Sequence, residues 1–336
     1  MKKKSILLAG YGPLDGSYFG LNLLTDKYIL KRVHFETRNR AIRFIRNNLL
    51  LLVRHADYLF MEYLYEAPLL MISALKMCRL SNRRIVAVSH TALKAPRNIF
   101  LRFIYRMVYS SIDTIMFFSP KNLEESVTSG MVAPQKARLL GWGRNLDYID
   151  SHFVVSDNSF FISTGRENRD VKILIDAFSK TNASLEIYVN KRNYNTGNNY
   201  SYLEEYVGKY PNIKIVFMED TELTYEDLCQ RTAEARCVVV PLIDKRVNYC
   251  VGLTSVVEAM ALGKPIISSP NPYSPIDLEK EEIGFYASTV DEWMDAITRC
   301  TETKAHEMGC RARKLAGETY NIHTATTLLD HIFSSE

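Results

Sequence analysis

The residues from 252 to 267 read Gly-Leu-Thr-Ser-Val-Val-Glu-Ala-Met-Ala-Leu-Gly-Lys-Pro-Ile-Ile. Gly252, Leu253 and Thr254 fall where a helix begins, so unpaired amides and the helix dipole there suit a diphosphate. Glu258 lies four residues beyond Thr254, one turn along the same face, where a carboxylate can accept two hydrogen bonds from a ribose diol. Gly263 and Pro265 then stop the helix and launch a strand. Upstream, Thr164-Gly165-Arg166 follows an apolar run, with the cations Arg169 and Lys172 shortly beyond. Each piece alone has a bland reading, a strand-end turn or a structural helix acid. Together they are the groups that phosphate and ribose recognition require.

The first half holds a second set of candidates. Gly10, Gly12 and Gly16 form G-x-G-x-x-x-G between an apolar run and a helix that Ser17 caps, and Glu36 follows 20 residues after Gly16. A dinucleotide fold would use such a loop for phosphate and such an acid for ribose, but the spacing departs from G-x-G-x-x-G, which leaves a tight turn or a substrate loop as the alternative. Asp15 in this loop is a candidate base or acceptor contact, or a turn residue. His90 ends an apolar run, where open α/β sheets place ligands, and is either structural or catalytic. Glu62 and Glu66 sit near the end of a third run, as site acids or as acids of a helix N-terminus.

These residues need elements to hold them. Short apolar runs at Ser5 to Ala9, Tyr28 to Phe35, Tyr58 to Met61, Arg84 to Val88 and Thr114 to Phe118 alternate with helical patterns near 39 to 54, 66 to 79, 97 to 109 and 121 to 129. The pattern restarts at Phe160 to Ser163, with a helix over Val171 to Ser179 and strands at Leu185 to Val189, Ile213 to Phe217, Cys237 to Leu242 and Pro265 to Ser268. Strands alternating with helices predict parallel sheets covered on both faces, hence an α/β protein of two tandem Rossmann-like, doubly wound domains facing a cleft. The polar, aperiodic stretch Asn145 to Asn158 is the expected linker, with the domains at 1–148 and 149–319 and a C-terminal helix over 320–336 returning to the first. Asn193 to Tyr200 reads as a surface loop.

Composition agrees with this scale. A chain of 336 residues that is 47% hydrophobic and 24% charged can bury two sizeable cores and is not disordered. The net charge of +4 hides an asymmetry: residues 1–150 carry 23 lysines and arginines against 11 acids, or +12, and the remainder carries 19 against 27, or −8. The six cysteines form no C-x-x-C pair and have no histidine at ligand spacing, so neither a zinc site nor a disulfide framework is expected. No apolar run reaches the roughly 7 to 15 residues of a signal-peptide core or the roughly 20 of a membrane span. A reducing, cytoplasmic setting is the expectation.

The positive charge is concentrated in two stretches. Lys31, Arg32, Arg38, Arg40, Arg43, Arg46 and Arg54 are mixed with Ile42, Phe44, Ile45, Leu49 and Leu50; Lys94, Arg97, Arg102 and Arg106 are mixed with Ile99, Phe100, Leu101 and Phe103. Both read as basic amphipathic helices that can lie on an anionic membrane, or as ordinary helices with a core face and a solvated basic face. No nucleic-acid motif or stacking pattern accompanies them, so nucleic acid is not an expected partner.

At these residues the chain resembles the GT-B glycosyltransferases, most closely the family 4 group that uses nucleotide-diphospho sugars. Val88-Ser-His90 looks like the family's strand-end histidine, Phe117-Phe-Ser119 like a later strand end, Gly141-Trp-Gly-Arg-Asn-Leu-Asp147 like the linker segment, and Gly165-Arg166 like its G-R turn. The resemblance implies that Arg166 pairs with the donor diphosphate, with Lys172 as second cation. It also implies that Glu219 and Thr221 border the base pocket, and that Glu258 is the second glutamate of the family's Glu-x7-Glu motif. The first glutamate falls at Cys250, which cannot act as that acid, so Tyr249, Val251 and the amides around Gly252 are left to position the donor sugar. His90 and Asp15 become the catalytic candidates, and Gly12, Gly16 and Ser17 an acceptor or phosphate loop.

The implied activity is metal-independent transfer of a sugar from a UDP- or GDP-sugar to a hydroxyl of a lipid-linked or growing polysaccharide acceptor. The donor is a co-substrate and no resident cofactor is expected. The implied location is the cytoplasmic membrane face, with Arg43, Arg46, Arg102 and Arg106 on the docking surface. The sequence contains no Asp-x-Asp segment to hold a metal. Alternatives are a nucleotide-sugar epimerase, an NAD-dependent oxidoreductase using the Gly10 to Gly16 loop, or a non-catalytic nucleotide-sugar-binding or membrane-scaffold protein.

Overall fold

The computed structural model describes residues 3–9, 19–33, 40–141, 143–165, 168–193, 198–243 and 249–334. The chain divides into two units: residues 1–142 with 248–250 and 323–336, and residues 143–247 with 251–322. Gly12, Asp15, Gly16, Ser17, Glu36 and Arg166 lie outside the described residues, as does the side chain of Arg43.

The first unit is built on strands β1 (Ser5–Ala9), β2 (Ile29–Val33), β3 (Tyr58–Met61), β4 (Arg84–Ser89), β5 (Thr114–Phe117) and β6 (Ala137–Leu139), all parallel in the order β2-β1-β3-β4-β5-β6. The apolar runs form buried strands because both faces are covered. Helices α1 (Arg40–Val53), α2 (Glu66–Met77) and α3 (Ile99–Ser111) form one layer, and Leu51, Leu69, Ile72 and Val108 pack on Leu7, Leu59, Ile85 and Ile115. Asn48 ties α1 to α2, donating to the carbonyl of Ala67 at 3.0 Å and accepting from the amide of Met71 at 3.1 Å. Helix α4 (Pro120–Thr128) follows β5, capped by Ser119.

In the second unit, α5 (Leu146–His152) precedes β7 (Phe160–Ser163), α6 (Val171–Phe178) and β8 (Ser184–Val189). Next come a small hairpin of β9 (Arg192–Asn193) and β10 (Asn198–Asn199), then β11 (Ile213–Phe217), α7 (Tyr225–Glu234), β12 (Cys237–Val240) and α8 (Leu253–Ala261). Strands β13 (Ile266–Ser268) and β14 (Gly284–Tyr286) and helices α9 (Val290–Arg299) and α10 (Glu302–Glu318) complete it. Its sheet is again parallel, in the order β11-β8-β7-β12-β13-β14. Phe161, Phe178, Ile187, Val239 and Trp293 centre its core. Helix α11 (Ile322–Ser334) then belongs, from His323 onward, to the first unit. There Phe333 meets Tyr28, Tyr58 and Phe60 edge-on at 5.1–6.2 Å, covering the sheet face opposite α1 to α3.

Both sheets reverse direction of strand addition once, between β1 and β3 in the first and between β7 and β12 in the second. A crevice outside the carboxyl ends of the strands forms at such a reversal, which is where open α/β sheets bind ligands.

Several elements differ from the sequence expectation. Part of the expected linker is helix α5, where Asn145 caps the amide of Tyr148 and Ile149 and Phe153 pack on Cys229, Ala233, Ala261 and Leu262. A helix of seven residues whose one buried side chain is Ile149 is too short to show a period. The helix expected up to Leu24 is a single 3-10 turn over Leu21–Leu24, and the expected loop at 193–200 includes the ends of the β9–β10 hairpin. Strands β6 and β14, three residues each, sit at sheet edges and carry no usable pattern. In β14, Gly284 is required: a Cβ there would stand 1.9 Å from the carbonyl of Ile266.

Candidate functional site

In the second unit the reversal point is built from the loop after β7 and the start of α8. Gly165 follows the carboxyl end of β7, and the space a side chain would take is filled by the guanidinium of Arg169, whose Nε would stand 2.0 Å from a Cβ. Arg169 is 6% exposed. Its backbone amide donates to the hydroxyl of Tyr200 at 2.9 Å and its Nη2 to Ser255 Oγ, in the first turn of α8, at 3.1 Å. The loop is laced to the end of β12 by Asp170 N to Pro241 O at 3.0 Å and Ile243 N to Asn168 O at 3.1 Å.

Helix α8 follows its N-cap residue Gly252, which sits at φ +84°, a left-handed conformation that favours glycine, and has no side chain to cap the helix. Its first-turn amides therefore project from the N-terminus with the positive end of the dipole. A small cavity of about 20 Å³ opens beside it, lined by Leu242, Gly252, Leu253, Val256, Ser268 and Tyr286. Thr254 is exposed on the same turn. One turn along, Glu258 accepts from the Tyr225 hydroxyl and lies 3.8 Å from Arg144 Nη1, while Arg144 stacks over the Tyr225 ring at 5.4 Å. The start of α8 thus gathers a buried cation and, one turn on, a carboxylate held by a tyrosine and an arginine.

The other residues expected at the donor are placed differently. Lys172 is half exposed and paired with Asp176 one turn along α6, so Arg169 is the cation held on α8. Glu219 and Thr221 are exposed in and after the turn Met218–Asp220 at the sheet edge. Burial alone would raise the Glu219 carboxyl, but hydrogen bonds from the backbone of Glu219, Lys191 and Arg192 and from the Asn190 side chain hold it below its ordinary value. Tyr249 and Cys250 belong to the first unit. The Tyr249 hydroxyl donates to Glu125 Oε1 on α4 at 2.7 Å, and Asn122 Nδ2 donates to Cys250 Sγ at 3.4 Å. Burial pushes the Cys250 thiol up to about 12, so it stays protonated and offers no anion where the resembled family has a glutamate.

At the carboxyl edge of the first sheet, His90 stacks on Tyr63 with ring centres 4.3 Å apart and lies 4.8 Å from Phe118. Its ring donates to the Glu62 carbonyl, and its buried Nε2 has no hydrogen-bond partner among the described residues, which makes Nδ1 the donor and Nε2 the bare acceptor. Burial lowers this imidazole to about 4. Asn122 fixes the backbone by donating to the His90 carbonyl at 3.1 Å. Glu62 is itself buried and pairs with Arg32 Nη2 at 3.2 Å. Arg32 is therefore not part of the basic surface that its neighbours suggest. Glu66 accepts from the Tyr109 hydroxyl at 2.6 Å and joins α2 to α3.

The surface of α1 and α3 is apolar as well as basic. Ile42, Phe44, Ile45 and Leu49 on α1, and Ile99, Phe100, Leu101 and Phe103 on α3, are exposed, Ile99 by 81%. Arg106 is exposed among them, Arg46 is half-buried, and Arg102 Nε donates to the Pro96 carbonyl at 3.1 Å. Among the described residues no helix is long and apolar enough to cross a membrane, and no three metal-ligating side chains cluster.

Spacing in the sequence gives no site role to Arg169, Arg144, Tyr225, Arg32 or Asn122. Arg144 and Tyr225 carry no spacing relation to Glu258. Arg169 is visible in sequence as a cation close to Gly165, and strand alternation places Arg32 on one face of β2.

No family model matches the sequence, and no curated protein matches it. Solved structures do. A glycosyltransferase from Rickettsia africae superposes with a TM-score of 0.71 at 13% identity, covering 99% of this chain and 98% of its own. Anabaena HepE in complex with UDP and glucose gives 0.66 at 13% identity over 99% and 100% of the two chains. The UDP-GlcNAc 2-epimerase of Neisseria meningitidis, bound to UDP-GlcNAc, gives 0.59 at 11% identity over 98% and 99%. The chain therefore has two α/β units in the fold of the GT-B glycosyltransferases, which these epimerases share.

Proposed function

We propose that the chain is a glycosyltransferase moving a sugar from a UDP- or GDP-sugar to a hydroxyl of a lipid-linked or growing polysaccharide acceptor. The observation that carries this reading is the second unit's reversal point, where Arg169 on Ser255 joins the glycine-started N-terminus of α8 in its first turn and Glu258 follows one turn on. The amides and the guanidinium take the diphosphate, and Glu258 takes the ribose hydroxyls. Arg166 and the amides of Leu253 and Thr254 contribute to the same contact. As the glycosidic bond to the diphosphate breaks, negative charge grows on the phosphate oxygens, and a fixed cation and helix dipole stabilise it without a metal ion.

On the first unit, His90, whose Nε2 is unprotonated, is the candidate to take the proton of the acceptor hydroxyl, and Gly12, Asp15, Gly16 and Ser17 are the candidate acceptor residues. The exposed apolar side chains of α1 and α3, with Arg46, Arg102 and Arg106 on the same helices and Arg43 in the α1 sequence, support docking on an anionic bilayer, where apolar contact and cation attraction add. On this reading the protein works peripherally at the cytoplasmic membrane face.

The experiment is release of UDP or GDP from the corresponding sugar nucleotides, with and without membrane extracts as acceptor, in EDTA. Acceptor-dependent release insensitive to EDTA supports the proposal, and its absence with all donors refutes it. A second reading, epimerisation of a UDP-sugar, is favoured by the likeness to the Neisseria enzyme. It is separated by proton NMR of UDP-GlcNAc, which shows the C2 epimer if that reading is right.

A further inference from the structure

The first unit carries a polar cluster that the donor reading does not use. Register places it: Leu8 pairs with Arg32 on one side and Phe60 on the other, so Arg32 and Phe60 share a sheet face, and Glu62, two residues on, continues it. Glu62 follows the end of β3, its amide bonded to the Ala9 carbonyl at the end of β1, which is the reversal point of this sheet. The Arg32 and Glu62 side chains are 10% and 7% exposed. Among the described residues the guanidinium uses Nη2 alone, on Glu62, and its buried Nε and Nη1 have no partner there. Across the Glu62 backbone, His90 Nε2 is a buried acceptor without a partner. Three orphaned polar atoms around one residue are costly, and each calls for a partner that binds there.

Beside this cluster two aromatic rings face outward. Tyr63, stacked on His90, is 44% exposed, and Tyr65, 6.3 Å from Tyr63, is 42% exposed. The ligand must therefore offer oxygens to Arg32, an O–H to His90, and a flat C–H face to the rings. Charge decides between anion and sugar. Arg32 is already neutralised by Glu62, so an added anion would sit beside a buried carboxylate with no net positive charge to offset its desolvation. Hydroxyl oxygens meet the same donors at no such cost.

We propose that Arg32, Glu62, Tyr63, Tyr65 and His90 form a subsite for a neutral pyranose of the acceptor, with Arg32 and Glu62 reading its hydroxyls. This deepens the proposed function and rests on its claim that the first unit receives the acceptor. The substrate is then the neutral sugar end of a glycan, and a charged lipid diphosphate would not be the group read here.

The test is saturation-transfer NMR on the full chain with the methyl glycosides of glucose, galactose, mannose and N-acetylglucosamine, with methyl glucuronide and inorganic phosphate as anionic arms. At least one neutral glycoside should bind. Its affinity should fall at least tenfold in Arg32→Met and several-fold in Tyr65→Ala, an exposed position that keeps the test valid if Arg32→Met does not fold. Binding by no neutral glycoside, unchanged affinity in the variants that fold, or tenfold tighter binding of glucuronide or phosphate would overturn the subsite. Stabilisation by UDP or GDP is measured in parallel: if it persists while glycoside binding fails, only the subsite falls, and if neither nucleotide stabilises the chain, the donor reading falls.

Discussion

Gly165 and Arg169 are mutually dependent: the guanidinium of Arg169 reaches Ser255 on α8 only because Gly165 has no side chain, a Cβ there standing 2.0 Å from Nε. Gly165→Ala should therefore displace Arg169. Overpacking costs about 1–3 kcal/mol, and with the cation moved UDP affinity should fall at least tenfold by isothermal titration. An unchanged affinity would remove Arg169 from the diphosphate contact.

Glu258 is held by Tyr225 and Arg144 at the distance of one turn from the α8 N-terminus. If it reads a ribose diol, the protein should bind UDP about tenfold or more tightly than 2′-deoxy-UDP, one charged hydrogen bond being worth roughly 1.5–3 kcal/mol. Glu258→Ala should bind the two nucleotides alike. A preference that survives the substitution contradicts the assignment.

His90 is neutral well below the usual histidine range, its pKa lowered to about 4 by burial. The unfolded chain takes up this proton near 6.5 while the folded chain does not until about 4, so stability should be lost as pH falls through that window and be fully present above it. The contribution is at most roughly 3 kcal/mol. Nitrogen-15 NMR should show a neutral ring with Nδ1 protonated at pH 6, and titration near 6.5 would refute the burial argument.

Cys250 is a protonated thiol, its pKa pushed up to about 12, and should not react with iodoacetamide at pH 8, whereas the exposed Cys78 and Cys310 should. Mass spectrometry of the labelled chain checks this. Prompt labelling of Cys250 would reveal an anion where a neutral group is inferred.

Reversal of Arg43, Arg46 and Arg106 to Glu should abolish sedimentation with anionic vesicles, each cation near such a surface being worth about 1 kcal/mol, and leave nucleotide binding unchanged. Arg102 is better left in place, since it bonds the Pro96 carbonyl at the start of α3. Sedimentation that persists would refute the docking surface.

The long buried strands and the alternation of elements were legible because parallel strands covered on both faces read as continuous apolar runs. The start of α8 at Gly252 was legible from its glycine and the periodic residues after it. Contacts that depend on tertiary register were not. Nothing in sequence joins Arg144 to Glu258 or Tyr249 to Glu125. Arg32 reads as one more surface cation until β2 pairs with β1 and turns it toward Glu62. Lys172 and Arg169 are equally plausible phosphate cations by type, and the distinction came from the space at Gly165.

The most direct test of the account is hydrogen exchange of the intact chain with and without UDP or GDP. Protection should appear in peptides covering 163–170 and 251–258, with the largest change at the first-turn amides of α8. Protection confined to other segments, or none with either nucleotide at millimolar concentration, would contradict the assignment of the nucleotide to the second unit.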